Sequence, residues 1–226
     1  MCRMPRRLRV STGGIVFHVI NRRVGRQRIF EDEADYAAFE KAIGQACERL
    51  PMRVVGYCLM PNHWHLVLWP SHDGDLSRFM QWLTVTHTHR WHAHRGVVGE
   101  GALYQGRFKS FPVEKDEHFL TVMRYVERNP LRGKLVTRAQ DWQWSSMWGR
   151  SKKFEWLTSS GQWPMPAPQN WVRFVNEPQS DLELSELRRS VNRGTPFGDA
   201  HWARSTADKL HLQSTLRDPW RPARPR

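Results

Sequence analysis

Apolar positions change period along the chain, and each change marks an element. Residues 13–22, GGIVFHVINR, carry a β-branched and aromatic run after a glycine pair and predict a first strand. In DEADYAAFEKAIGQACERL the spacing becomes helical. Tyr36, Phe39, Ile43, Ala46 and Leu50 fall on one face, acids open the segment and Pro51 closes it. Two strands follow, MRVVGYCLM and HWHLVLWP, joined at the turn-forming pair Pro61-Asn62. A second helix is predicted from about Asp75 to Gly96. A glycine-flanked loop and a fourth strand are then read in GEGALYQGRFKSFPVE, and a third helix in DEHFLTVMRYVERNPLRG, with Pro130 at its end.

This order predicts an α+β, ferredoxin-like (RRM-like) two-layer sandwich, its sheet mainly antiparallel and its helices on one face, followed by a C-terminal extension. The expected domains are 1–148 for the sandwich, 149–180 for a linker holding the proline-rich WPMPAPQNW, and 181–226 for a basic extension. That extension begins in SDLELSELRRSVNRG, a short helix stopped by Gly194.

Strand geometry makes one motif conspicuous. Residues two apart on a strand share a face, so His63 and His65 project together from an apolar strand while Trp64, Leu66 and Leu68 take the other side. Two adjacent imidazoles can hold one divalent ion, and burying them unpaired costs desolvation. Spacing alone says little, because His87-x-His89 and His92-x-His94 repeat it. The histidines of HTHRWHAHR are assigned no catalytic role; they are expected on a phosphate-facing helix with Arg90 and Arg95, or in solvent. Tyr125 and Asn129 lie one helical turn apart and can face the same way. On spacing alone they read rather as a core residue and a helix cap before Pro130.

Composition narrows the partner. Of 226 residues, 39% are hydrophobic, enough for a real core, and Lys plus Arg number 35 against 22 acids, a formal charge of +13. That balance points to a polyanion, and to nucleic acid ahead of a membrane surface. There is neither an apolar run long enough to span a bilayer nor the apolar core of a signal peptide, and three cysteines without CxxC spacing suit a reducing, cytoplasmic setting. Arginines crowd both ends, Arg3, Arg6, Arg7 and Arg9 at one and Arg217, Arg221, Arg224 and Arg226 at the other. They are expected to make sequence-independent phosphate contacts. Trp91 or Trp202 could stack on unpaired bases.

Four motifs in order carry a family resemblance. Gly56-Tyr57-x-Leu59-Met60-Pro61-Asn62-His63-x-His65-Leu66-Val67, Tyr104-Gln105-Gly106-Arg107-Phe108-Lys109, Tyr125-Val126-x-x-Asn129-Pro130-x-Arg132 and Trp144-Ser145-Ser146 resemble the single-tyrosine HUH transposases, in particular the REP-associated tyrosine transposases. The resemblance implies an enzyme that cleaves and rejoins single-stranded DNA at hairpin-forming repeats through a 5'-phosphotyrosine. It implies His63, His65 and Asn129 as ligands of Mg2+ or Mn2+, Tyr125 as the attacking residue, and a monomer or homodimer. Arg3, Arg6, Arg7, Arg107, Lys109 and Arg132 are the candidate DNA contacts. The competing readings are a catalytically silent nucleic-acid-binding protein on the same fold, and a metal hydrolase in which water attacks.

Overall fold

The computed structural model describes residues 10–217; Arg3, Arg6, Arg7 and Arg9, and the final arginines from Arg221 on, lie outside the described residues. The first part of the chain runs β1 (Val16–Arg22), α1 (Glu33–Arg49), β2 (Arg53–Met60), β3 (His63–Trp69), α2 (Asp75–Arg95), β4 (Lys109–Val113) and α3 (Glu117–Glu127). Local chemistry sets these limits. The Asp32 side chain caps α1 by accepting from the Asp35 backbone N–H, and α2 ends at Gly96, whose φ of 65° is a left-handed conformation that glycine adopts at little cost.

The strands form one antiparallel sheet in the order β2-β3-β1-β4. This is the strand order of the ferredoxin-like plan. The helices differ from expectation: they cover both faces. On one, Phe39 and Ile43 of α1 and Leu76, Phe79 and Leu83 of α2 bury Phe17, Val19, Tyr57, Leu59, Trp64, Leu66 and Leu68. On the other, Phe119, Val122, Met123 and Val126 of α3 bury Val16, Cys58, Val67, Phe111 and Val113. The reason lies in the strands, whose residues are buried on both sides, so a single helical layer would leave one apolar face wet. Gly56 allows the close approach of α3, since a Cβ there would sit 2.5 Å from the Met123 methyl carbon.

Beyond α3 come α4 (Asn129–Arg132), α5 (Ser146–Ser151), α6 (Trp171–Asn176), α7 (Asp181–Arg193), α8 (Ala200–Lys209) and α9 (Gln213–Leu216). Residues 149–180, the stretch expected as a linker, hold Leu157, Trp163 and Val175 in buried positions. Leu157 bridges to Val54 of β2 on the α1 and α2 side, whereas the later residues lie along the outer side of α3: the Trp171 indole donates to Glu127 Oε2 at 2.8 Å, and the Arg124 guanidinium donates to the carbonyls of Glu177 and Pro178 at 2.8 and 2.9 Å. Helix α7 opens on a capping box of Ser180 and Glu183. After it, Phe197 pairs with the outer edge of β4, donating to the Pro112 carbonyl and accepting from the Glu114 N–H at 2.9 Å each. An edge that could recruit another strand is thereby covered. Among the described residues no helix is long and apolar enough to cross a membrane.

Candidate active site

Register brings the site together on the α3 face. Three cross-strand rows point that way: Met60, His63 and Arg22; Cys58, His65, Ile20 and Lys109; and Val67, His18 and Phe111. The ring centroids of His63 and His65 are 5.0 Å apart, and those of His65 and His18 also 5.0 Å. Sequence reasoning missed His18, 47 residues from its partner His65. The available signal was its position in the first strand, on the same face as Ile20 and Arg22.

Burial holds these imidazoles neutral. His65 is 1% exposed and its pKa lies well below the usual 6.5; His63, half-buried, is lowered to about 4 and His18 to about 3, desolvation being the main cause in each. The positive charges of Arg22 and Arg132 add to the effect on His63 and His65. Neutral imidazole is the form that binds a metal.

Hydrogen bonds decide which nitrogen is offered. The Asn62 amide nitrogen donates to the Arg26 carbonyl at 3.2 Å, so the oxygen of that amide is the atom 2.6 Å from His63 Nδ1. An amide oxygen only accepts; His63 therefore carries its hydrogen on Nδ1 and keeps a lone pair on Nε2. His65 Nδ1 lies 2.8 Å from His18 Nε2, which again leaves Nε2 toward the site. Among the described residues neither Nε2 has a hydrogen-bond partner.

Helix α3 brings Tyr125 over the same group. Its ring, 7% exposed, stands edge-on to His65 at 5.8 Å and to His18 at 6.2 Å between centroids. The Arg132 guanidinium carbon sits 4.1 Å from the centre of the tyrosine ring. Asn129 is also buried; its Nδ2 donates to the Tyr125 carbonyl at 3.0 Å, one turn back, and its Oδ1 accepts from Arg132 Nη2 at 2.5 Å. The amide thus caps the helix and is held by a cation. Two neutral imidazoles and an amide oxygen are a donor set that suits a divalent ion, provided that the amide oxygen is shared with Arg132 or released by it.

A separate trio of donors, Glu114, Asp116 and His118, groups at the start of α3. Its carboxylates are already in use: Asp116 Oδ1 accepts from the His118 backbone N–H at 2.9 Å, and Glu114 Oε2 from the Asp199 N–H at 2.8 Å.

The other candidates separate. Lys109 is exposed on the row of His65, two strands away, and Arg107 is exposed on the loop before it. Both line a groove of about 790 Å³ with Arg193 of the C-terminal part. The roles expected along α2, phosphate-facing for its histidines and arginines and base stacking for Trp91, are not seen for three of its residues. His87 is buried against the Tyr104 hydroxyl at 2.7 Å, Arg95 is paired with Glu31 at 2.6 Å and with Asp35, and Trp91 is buried with its indole donating to the Ile29 carbonyl at 2.8 Å.

Fold and site together define an α+β protein that gathers a histidine pair, a tyrosine and an arginine on one sheet face. Residues 11–129, just over half of the chain, match the family model described as "Transposase IS200 like", and the chain belongs to that family of DNA-cleaving transposases. It is similar to a Haemophilus influenzae protein named "Putative REP-associated tyrosine transposase", with 27% identity over 145 residues that cover 60% of this chain and 81% of that one. Its fold is similar to that of a REP-associated tyrosine transposase solved bound to a REP hairpin. There the TM-score is 0.54 at 20% identity, over 69% of this chain and 89% of the other.

Proposed function

We propose that the chain cleaves and rejoins single-stranded DNA at hairpin-forming repeats through a covalent 5'-phosphotyrosine, with Tyr125 as the attacking residue. One observation carries this reading: α3 seats Tyr125 edge-on at 5.8 Å from His65, beside two imidazoles whose Nδ1 atoms are engaged elsewhere and whose Nε2 atoms have no hydrogen-bond partner among the described residues. The Tyr125 phenol oxygen attacks the phosphorus and loses its proton; the P–O3' bond breaks and the 3' oxygen leaves as a hydroxyl, so bond energy is retained for rejoining. His63, His65 and Asn129 would hold Mg2+ or Mn2+, which when bound draws charge from a non-bridging phosphate oxygen and orients the bond. Arg132, whose Nη1 is buried without a partner among the described residues, stands over the tyrosine ring where it can meet a phosphate. Lys109 and Arg107 would extend that contact along the strand, and the arginine-rich ends would add salt-dependent affinity. Support for a hairpin partner comes from the similar transposase, which was solved with a REP hairpin bound.

The test is incubation of the full chain with labelled single-stranded hairpin oligonucleotides and Mn2+, then a denaturing gel. A protein-DNA adduct in the wild type that is absent in Tyr125→Phe supports the reading. Cleavage that survives the substitution would point to attack by water and sink it.

A further inference from the structure

We propose that His18 is a positioning residue for the ion site, its Nε2 deciding which nitrogen of His65 keeps a lone pair. This rests on the reading of His63 and His65 as metal ligands. The 2.8 Å between His18 Nε2 and His65 Nδ1 admits one hydrogen between two neutral rings. Two arrangements satisfy it. In the first, His18 Nε2–H donates; His65 then carries its own hydrogen on Nε2, where an ion must bind, and His18 Nδ1 is a bare lone pair. In the second, His65 Nδ1–H donates; His65 Nε2 offers its lone pair to the site, and the hydrogen of His18 moves to Nδ1.

The environment of His18 separates the two. Its Nδ1 is fully buried and has no partner among the described residues. A stranded N–H is a costlier burial than a bare acceptor, so the metal-free protein favours the first arrangement and an ion selects the second. Binding therefore shifts one hydrogen on each ring from Nε2 to Nδ1, and no proton is gained or lost overall. His63 needs no such shift, because the Asn62 oxygen already holds its Nδ1–H at 2.6 Å. The two ligands are thus unequal: one is preset, and the other changes tautomer together with His18 when the ion arrives. A second shell of this kind commonly changes metal affinity by about 10–100-fold.

The experiment reads tautomers and affinity rather than activity. Long-range 1H–15N spectra of histidine-labelled full-length protein, recorded without metal and with Zn2+ as a diamagnetic probe, should show His18 and His65 both changing from Nε2–H to Nδ1–H while His63 keeps Nδ1–H. Mn2+ titration followed by electron paramagnetic resonance should show His18→Phe binding about 10–100-fold more weakly with an unchanged thermal midpoint. His18→Gln, whose amide oxygen can accept from His65 Nδ1, should recover most of that loss. An unchanged His18 tautomer on adding Zn2+ overturns the proposal, as does wild-type Mn2+ affinity in His18→Phe; should that variant not fold, the wild-type spectra and His18→Gln decide. If His63→Ala also binds Mn2+ like the wild type, the metal reading itself fails, and the role of His18 falls with it.

Discussion

Each face of the sheet buries a tyrosine against a histidine, and the two pairs end differently. Under α1 and α2, the Tyr104 hydroxyl accepts from the Trp64 indole at 3.1 Å and is hydrogen-bonded to His87 Nδ1 at 2.7 Å. That oxygen is satisfied from both sides, and the group is scaffold: it ties the 99–108 loop to the core. Under α3, Tyr125 meets His65 and His18 through ring edges, while His63 and His65 use Nδ1 internally and keep Nε2 clear. Identical side chains thus become structure where their polar atoms answer one another, and are left free for a ligand where packing holds one atom back.

The largest effect should come from Tyr125→Phe, which removes only a hydroxyl from the open face. Loss of the DNA adduct to below detection, with stability within about 0.5 kcal/mol of wild type, is the expected pair of results on gel and urea titration. A large fall in stability would make this tyrosine scaffold like its counterpart. Next comes Arg132→Met, which takes a cation from above the Tyr125 ring. It should slow adduct formation by about 10–100-fold in single-turnover assays and leave hairpin binding mostly intact, the loss being that of a charge-assisted phosphate contact. Rates equal to wild type would confine Arg132 to holding Asn129.

The closed face should respond in the opposite sense. Tyr104→Phe leaves the Trp64 N–H without its acceptor and His87 Nδ1 without its partner, and should cost about 1–3 kcal/mol in urea unfolding. The adduct should still form at a rate within a few-fold of wild type. The mildest test is pH. Burial lowers the His87 pKa to about 3, below the 6.5 of an ordinary histidine, so the unfolded chain takes up a proton that the folded one refuses. Its contribution is therefore full above pH 6.5 and is lost toward pH 3, at about 1.4 kcal/mol per pH unit for one group. His87→Phe should show a shallower loss of stability between pH 6.5 and 5; an equal slope would mean that His87 titrates normally.

Much of this was legible along the chain. The Glu33–Arg49 helix follows from acids at its start, helical apolar spacing and a proline after its end, and the Asp75–Arg95 helix stops at the expected glycine. His63 and His65 had to share a face because a strand has period two. The four motifs pointed to the transposase family before any coordinate did. The outcome for α2 differs: nothing in HTHRWHAHR distinguishes His87, buried and bonded, from exposed His89, because that choice depends on the distant Tyr104.

What the sequence determined by itself is local: the elements, their caps, the alternation that pairs two histidines, and the one-turn spacing of Tyr125 and Asn129. What only the tertiary structure decided is which distant groups meet. Strand register sets His18 one diagonal step from His65, the distant Arg26 carbonyl holds the Asn62 amide with its oxygen toward His63, and the apolar second face draws α3 with Tyr125 onto the pair. Periodicity fixes the direction of a side chain on its own element, but its partner is selected by the burial of whole faces against each other, a free energy that no short stretch of sequence contains.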